Sequence, residues 1–167
     1  THWQPAGPLV LRKAPGHGSL WLSDPGSLTE QLLVLSNQSL AVQVVRQGFL
    51  PASIDERERL QLNSHQRVLI REVLLLCQGK PWVFARTVIP WSSLIGHNRK
   101  LLHLGSQSLG STLFNDPSLK RVIKEVAIWP GTSLPPGIHT VEASWARRSI
   151  FTLRSKPLLV TEVFLPH

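Results

Sequence analysis

The stretch RVLIREVLLL, Arg67–Leu76, is apolar on both of its alternating faces and rich in β-branched and aliphatic residues. Such a run predicts a strand buried on both sides at the centre of a sheet. Gln78-Gly79-Lys80-Pro81 follows as a turn signal, and Trp82–Ile89 reads as the returning strand, ended by Pro90. The fold grows from this hairpin. Upstream, Ser39–Arg46 places Leu40, Val42 and Val44 in alternation before Gly48 and Pro51 break it. Downstream, Thr140–Ala146, Ser149–Arg154 and Leu158–Leu165 read as three closing strands, the last two joined at Ser155-Lys156-Pro157.

Helices are expected between these strands. Ser27–Leu35 pairs Ser27 with Glu30 as a capping box and puts Leu28, Leu32 and Leu35 on one face. Ile54–Leu62 is short and charged, a loop or helical turn. Ser92–Phe114 looks helical with interruptions at Gly96, Gly105 and Gly110, and Ser118–Val126 follows behind the start signal Asn115-Asp116-Pro117. Trp129–His139, with three prolines and two glycines, is a loop. Antiparallel strands punctuated by a separate helical block make an α+β domain.

The chain has 167 residues, 42% hydrophobic and 17% charged, which fits one globular domain spanning 1–167. Residues 1–18, rich in Pro and Gly, read as a loose arm without the apolar core of a signal peptide. Apolar runs such as Val73–Cys77 are too short to span a bilayer. A soluble, cytoplasmic monomer is therefore expected. The single Cys77 excludes an internal disulfide and a multi-cysteine metal site. The seven histidines miss metal-ligand spacing, and neither a Gly-x-Ser-x-Gly elbow nor a phosphate-binding glycine loop is present, so no metal or cofactor is expected.

Eighteen Lys and Arg against ten Asp and Glu give a net charge of +8, but the cations are scattered rather than gathered into a stripe. That argues against a nucleic-acid surface and leaves room for a small-anion site. Two charges stand where the pattern wants apolar residues. Arg71 alternates in phase with Leu69, Val73 and Leu75, and Glu162 shares its phase with Leu158, Val160 and Phe164. A buried charge is costly unless paired, so each needs a partner. Either the two form an ion pair or face solvent, or they line a pocket where arginine grips a carboxylate and glutamate holds a hydroxyl. Glu72, on the opposite phase, is read as a solvent or cross-strand residue.

The segments VRQGF (Val45–Phe49), LIREVLLLCQGKPWVFARTVIP (Leu69–Pro90), SLGSTLF (Ser108–Phe114) and KPLLVTEVFLP (Lys156–Pro166) resemble the chorismate pyruvate-lyase family in order and spacing, over about residues 20–166. The resemblance implies an antiparallel sheet of about six strands, with helices packed against it and helical flaps closing over an internal site. It implies that Arg71 binds the ring carboxylate of substrate and product, that Glu162 faces the 4-hydroxyl, and that Leu28 and Leu109 offer main-chain groups from the flaps. Arg86 is a further candidate, for the site's entrance or a second carboxylate. The Pro-rich stretch 129–140 is an insertion relative to the family pattern.

The implied activity is cofactor-free conversion of chorismate to 4-hydroxybenzoate and pyruvate, feeding ubiquinone or plastoquinone biosynthesis, with Glu162 and Arg71 in catalytic roles and with product inhibition. The competing reading is a binding module: effector-binding domains of some bacterial regulators share this kind of fold and sense small anions without chemistry.

Overall fold

In a computed structural model the chain is described over residues 1–12, 18–138 and 142–166. The central hairpin forms as its sequence demands. Strands β3 (Val68–Cys77) and β4 (Lys80–Pro90) pair antiparallel, and β3 is buried along nearly its whole length. The turn between them puts Gln78 and Gly79 at φ 51° and 76°, the left-handed pair that a two-residue hairpin requires.

Around this hairpin lie β1 (Gln4–Pro5), β2 (Leu40–Phe49), β5 (Lys120–Trp129), β6 (Ser144–Leu153) and β7 (Lys156–Phe164). They make one antiparallel sheet in the order β1-β5-β6-β7-β4-β3-β2, six long strands and a two-residue one. The helices are short: α1 (Pro8–Leu11), α2 (Gly18–Ser23), α3 (Leu28–Leu35), α4 (Ile54–Arg59) and α5 (Leu109–Phe114). On one face α2 and α3 are anchored by Trp21, whose ring lies 5.4 Å from Phe164 and 6.1 Å from Trp82, and by fully buried Leu22 and Leu32. Among the described residues no helix is long and apolar enough to cross a membrane.

Several expectations change. The run 118–126 is strand, not helix: its Val122, Ile123 and Val126 suit a pleated edge, and Asp116 spends its carboxylate on Ser118 N (3.0 Å) and Oγ (2.7 Å) in a turn. The segment 92–114 is two 3-10 stretches, Trp91–Ser93 and Gly96–His103, followed by α5. Arg147 and Arg148 do not separate two strands but lie inside β6. The capping box at Ser27 does not close, and its hydroxyl is buried without a hydrogen-bond partner among the described residues. A capping box forms instead at α4, where Ser53 and Glu56 exchange bonds of 3.1 and 2.8 Å. The described part of the arm is docked: Gln4 and Pro5 pair with β5, and Trp3 packs 6.1 Å from Trp129.

Three one-residue register shifts interrupt the ladders, leaving Val45, Trp82 and Val122 as the extra residues of β2, β4 and β5. A bulge inverts which side of the sheet the following residues face. These three decide the composition of the site.

Candidate active site

One face of the sheet, capped by α3 and α5, encloses a cavity of about 50 Å³ measured at the centres of water molecules. That is several times the roughly 10–15 Å³ needed to hold one water. Apolar side chains such as Val73, Leu113, Phe151 and Val160 make most of the wall. The charged residues on it are Arg71, Arg121, Arg147 and Glu162, three cations against one anion.

Arg71 is 2% exposed. Its guanidinium donates to Gln47 Oε1 (2.8 Å) and to the carbonyls of Gly105 (2.8 Å) and Gln107 (3.1 Å), all neutral acceptors. Three of the five N–H groups of an arginine are thus used, leaving two for a ligand. Burial pushes the guanidinium below its ordinary pKa, since no carboxylate among the described residues offsets the lost hydration. The Val45 bulge explains the partner. It sets Gln47, rather than Arg46, opposite Arg71, so a neutral amide replaces a like charge.

Glu162 stands directly across from Arg147 on β6, and Arg147 Nε and Nη2 both reach its Oε2 at 2.7 Å. Among the described residues no donor reaches Oε1. Of the alternatives, the Arg71–Glu162 ion pair is therefore absent, and so is a solvated face: Arg147 takes the carboxylate, and both original residues line the same cavity. Arg147, 1% exposed, also holds the carbonyls of Trp21 (2.6 Å) in α2 and Asp24 (3.2 Å) in the segment that leads into α3.

Leu28 and Leu109 both line the cavity, one from the first turn of α3 and one from the first turn of α5. The two flaps touch through Thr29 Oγ1 and Ser108 Oγ, 2.6 Å apart. Gly110 permits this closeness, for a Cβ there would stand 2.5 Å from Thr29 Oγ1. Arg71 ties down the lead-in to one flap and Arg147 the lead-in to the other, so the charged floor and the roof are linked.

Arg86 does not reach this cavity. The Trp82 bulge pairs Arg71 with Thr87 and turns Arg86 to the opposite face, where it donates to Glu56 (2.7 and 2.9 Å) and Glu72 (2.5 Å). Glu72 is its cross-strand neighbour, as the phase of β3 suggested. Arg121, Arg147 and Gln47 were missed by the sequence reading. For Arg147 a signal existed: it has the phase of Phe151 and Leu153, and an inward Glu162 requires a cation. For Arg121 and Gln47 there was none: 118–126 read as helix, the strand before Gly48 was ended at Arg46, and even strict alternation along the observed strands points each to the other face until a bulge intervenes.

Among the described residues no group of three or more His, Cys, Asp or Glu gathers where a metal could be held. The arrangement suits a small, flat, anionic ligand, gripped by arginine at one side and by a carboxylate oxygen at the other, with apolar walls between.

Comparison with known proteins bears on the fold and on the family. Solved structures with a similar fold include the effector-binding domain of the Bacillus subtilis trehalose repressor (TM-score 0.58, 12% identity, 74% of this chain and 89% of that one). A GntR-family regulator from Enterococcus faecalis is another (TM-score 0.52, 16% identity, 77% and 91%). At such identities they share the fold alone. In sequence, the chain is 37% identical over 166 residues to the chorismate pyruvate-lyase of Pectobacterium atrosepticum, covering 98% of this chain and 84% of that protein. It is 43% identical over 155 residues to a Psychromonas ingrahamii protein named "Probable chorismate pyruvate-lyase", covering 87% and 81%. The family model described as chorismate lyase matches residues 1–167, and the chain belongs to that family.

Proposed function

We propose that this protein is a chorismate pyruvate-lyase, cutting chorismate into 4-hydroxybenzoate and pyruvate, and that Arg71, Glu162 and the flap residues Leu28 and Leu109 form its site. The observation that carries this reading is the buried cavity in which Arg71 keeps free N–H groups and no carboxylate partner, while Glu162 keeps Oε1 open elsewhere on the wall.

Chorismate bears a ring carboxylate at C1, an enolpyruvyl ether at C3 and a hydroxyl at C4. Arg71 binds the C1 carboxylate, helped by main-chain groups at Leu28 and Leu109, and Glu162 Oε1 accepts the C4 hydroxyl. In the reaction the C3–O bond breaks with its electron pair on oxygen. The C4–H electron pair becomes part of the aromatic ring, and the proton ends on the methylene carbon of the departing enolpyruvate. Aromatisation supplies the driving force, so the residues' task is to hold the reactive conformer and to stabilise charge developing on the ether oxygen. The linked flaps exclude water and make product release the step that limits turnover, with product inhibition as its consequence. The product then serves quinone biosynthesis in the cytoplasm.

The test is direct. Purified protein is mixed with chorismate in EDTA without added cofactor, and both products are followed. Equimolar formation, faster than chorismate's spontaneous decay, supports the lyase. Tight binding of 4-hydroxybenzoate without turnover would instead favour a sensor, the role suggested by the fold shared with regulator domains.

A further inference from the structure

Arg121 is the cavity cation that this mechanism leaves without a task. It enters from β5, whereas Arg71 enters from β3, four strand-to-strand steps away, about 19 Å between backbones at ~4.8 Å per step. Strict alternation would turn Arg121 to the outer face with Ile123 and Glu125; the bulge at Val122 turns it inward, opposite Phe151. Its guanidinium lies 4.8 Å from the centre of the Phe151 ring and 5.9 Å from that of Phe114. Nη1 donates to the carbonyls of Asp24 (3.1 Å) and Pro25 (3.0 Å). Nε is buried with no hydrogen-bond partner, and no carboxylate among the described residues lies within ion-pair distance. A buried, unpartnered N–H is costly and marks a place that a ligand satisfies.

The surroundings say which ligand group. Burial first, and the Arg147 cation second, disfavour the charged form of Arg121, while Glu162 and Asp24 favour it. Arg121 and Glu162 line the same cavity and the Glu162 charge acts on Arg121, whereas burial alone perturbs Arg71. On the proposed reading Glu162 meets the C4 hydroxyl, and the carbon next to C4 carries the enolpyruvyl ether. The wall also holds two cations without a carboxylate, Arg71 and Arg121, for a substrate with two carboxylates.

We infer that Arg121 binds the side-chain carboxylate of the enolpyruvyl group and stays with it as enolpyruvate departs. This rests on the lyase reading and extends it: Arg71 recognises what substrate and product share, and Arg121 recognises what the product has lost. The contact is worth most when the side chain carries the second negative charge away from the ring, so Arg121 acts on turnover as well as on substrate binding.

The test combines Arg121→Gln and Arg121→Lys with two ligands: 4-hydroxybenzoate, which has no side chain, and the chorismate analogue whose side-chain carboxyl is a primary amide. The expected results are a loss of about 30-fold or more in kcat/KM for chorismate in Arg121→Gln and an affinity for 4-hydroxybenzoate changed little. The lysine variant should keep part of the rate. Wild-type protein should lose comparably on the amide, and Arg121→Gln should lose little further on it, because both changes delete the same contact. Equal losses on chorismate and amide, or a parallel loss of 4-hydroxybenzoate affinity, would reduce Arg121 to a clamp on the Asp24–Pro25 carbonyls. If Arg121→Gln fails to fold, the chorismate-to-amide ratio in Arg121→Lys against wild type decides the matter. Wild-type protein that makes no 4-hydroxybenzoate removes the parent reading and this assignment with it.

Discussion

The two faces of this sheet carry similar arginines and put them to opposite uses. On the outer face Arg46, Glu72, Arg86 and Glu56 form one closed cluster and Arg59, Glu125, Arg148 and Asp55 another, four cations for four anions in all. On the inner face three cations meet one anion, and two of the three lack a carboxylate altogether. Both sets include buried arginines, such as Arg148 on the outer face and Arg71 on the inner, so burial of the cation alone does not separate them. Balance does. A buried network that neutralises itself has no electrostatic reason to admit a ligand, whereas an excess of two positive charges behind closed flaps is tolerable only as a place for an anion.

The contrast can be broken most severely at its single inner anion. Glu162→Gln strips Arg147 of its partner in a site where that arginine is 1% exposed. Leaving a buried charge unpaired costs about 3–5 kcal/mol, to be read in urea unfolding, and turnover should fall while 4-hydroxybenzoate still binds. An unchanged rate would remove Glu162 from the mechanism. Arg71→Ala comes next. Loss of its carboxylate contact is expected to cost roughly 2–5 kcal/mol in binding, seen equally with 4-hydroxybenzoate and chorismate; retention of both affinities would sink the assignment.

The outer network answers to acid instead. Burial raises the Glu56 pKa, but hydrogen bonds and charge from Arg86, with bonds from Ser53, lower it further, for a net shift below 4.5. A depressed folded-state pKa contributes stability that is present above the unfolded value and lost as pH falls through the folded one. Wild-type protein should therefore lose stability below about pH 4.5 more steeply than Glu56→Gln. A gap between the two that does not change with pH would show that Glu56 is not the titrating group. Smallest of all is Arg46→Gln. Its side chain is 54% exposed, and Arg86 still holds Glu72, so a cost below about 1 kcal/mol and unchanged kcat/KM are expected.

How far the site was readable follows from where its geometry comes from. Arg71 and Glu162 were visible because each breaks an apolar alternation on an uninterrupted stretch of strand, and a guanidinium or carboxylate among aliphatic side chains needs a reason. Leu28 and Leu109 came with the family resemblance, and both line the cavity. Arg147 was hidden only because its strand was divided at the Arg-Arg pair. Arg86 was named on the resemblance but faces Glu56 and Glu72. Arg121 was hidden because 118–126 read as helix and Gln47 because the strand was ended at Arg46, and in neither place does the pattern mark where a ladder gains a residue.

The sequence by itself determined the buried central hairpin, the α+β class and the two inward charges, because hydrophobic periodicity and turn chemistry are local properties of the chain. Tertiary structure alone decided that Gln47 meets Arg71 and that Arg121 lines the cavity, while Arg86 faces Glu56 and Glu72. The reason is that a bulge belongs to the hydrogen-bond ladder between two strands, and one inserted residue reverses the facing of every side chain beyond it.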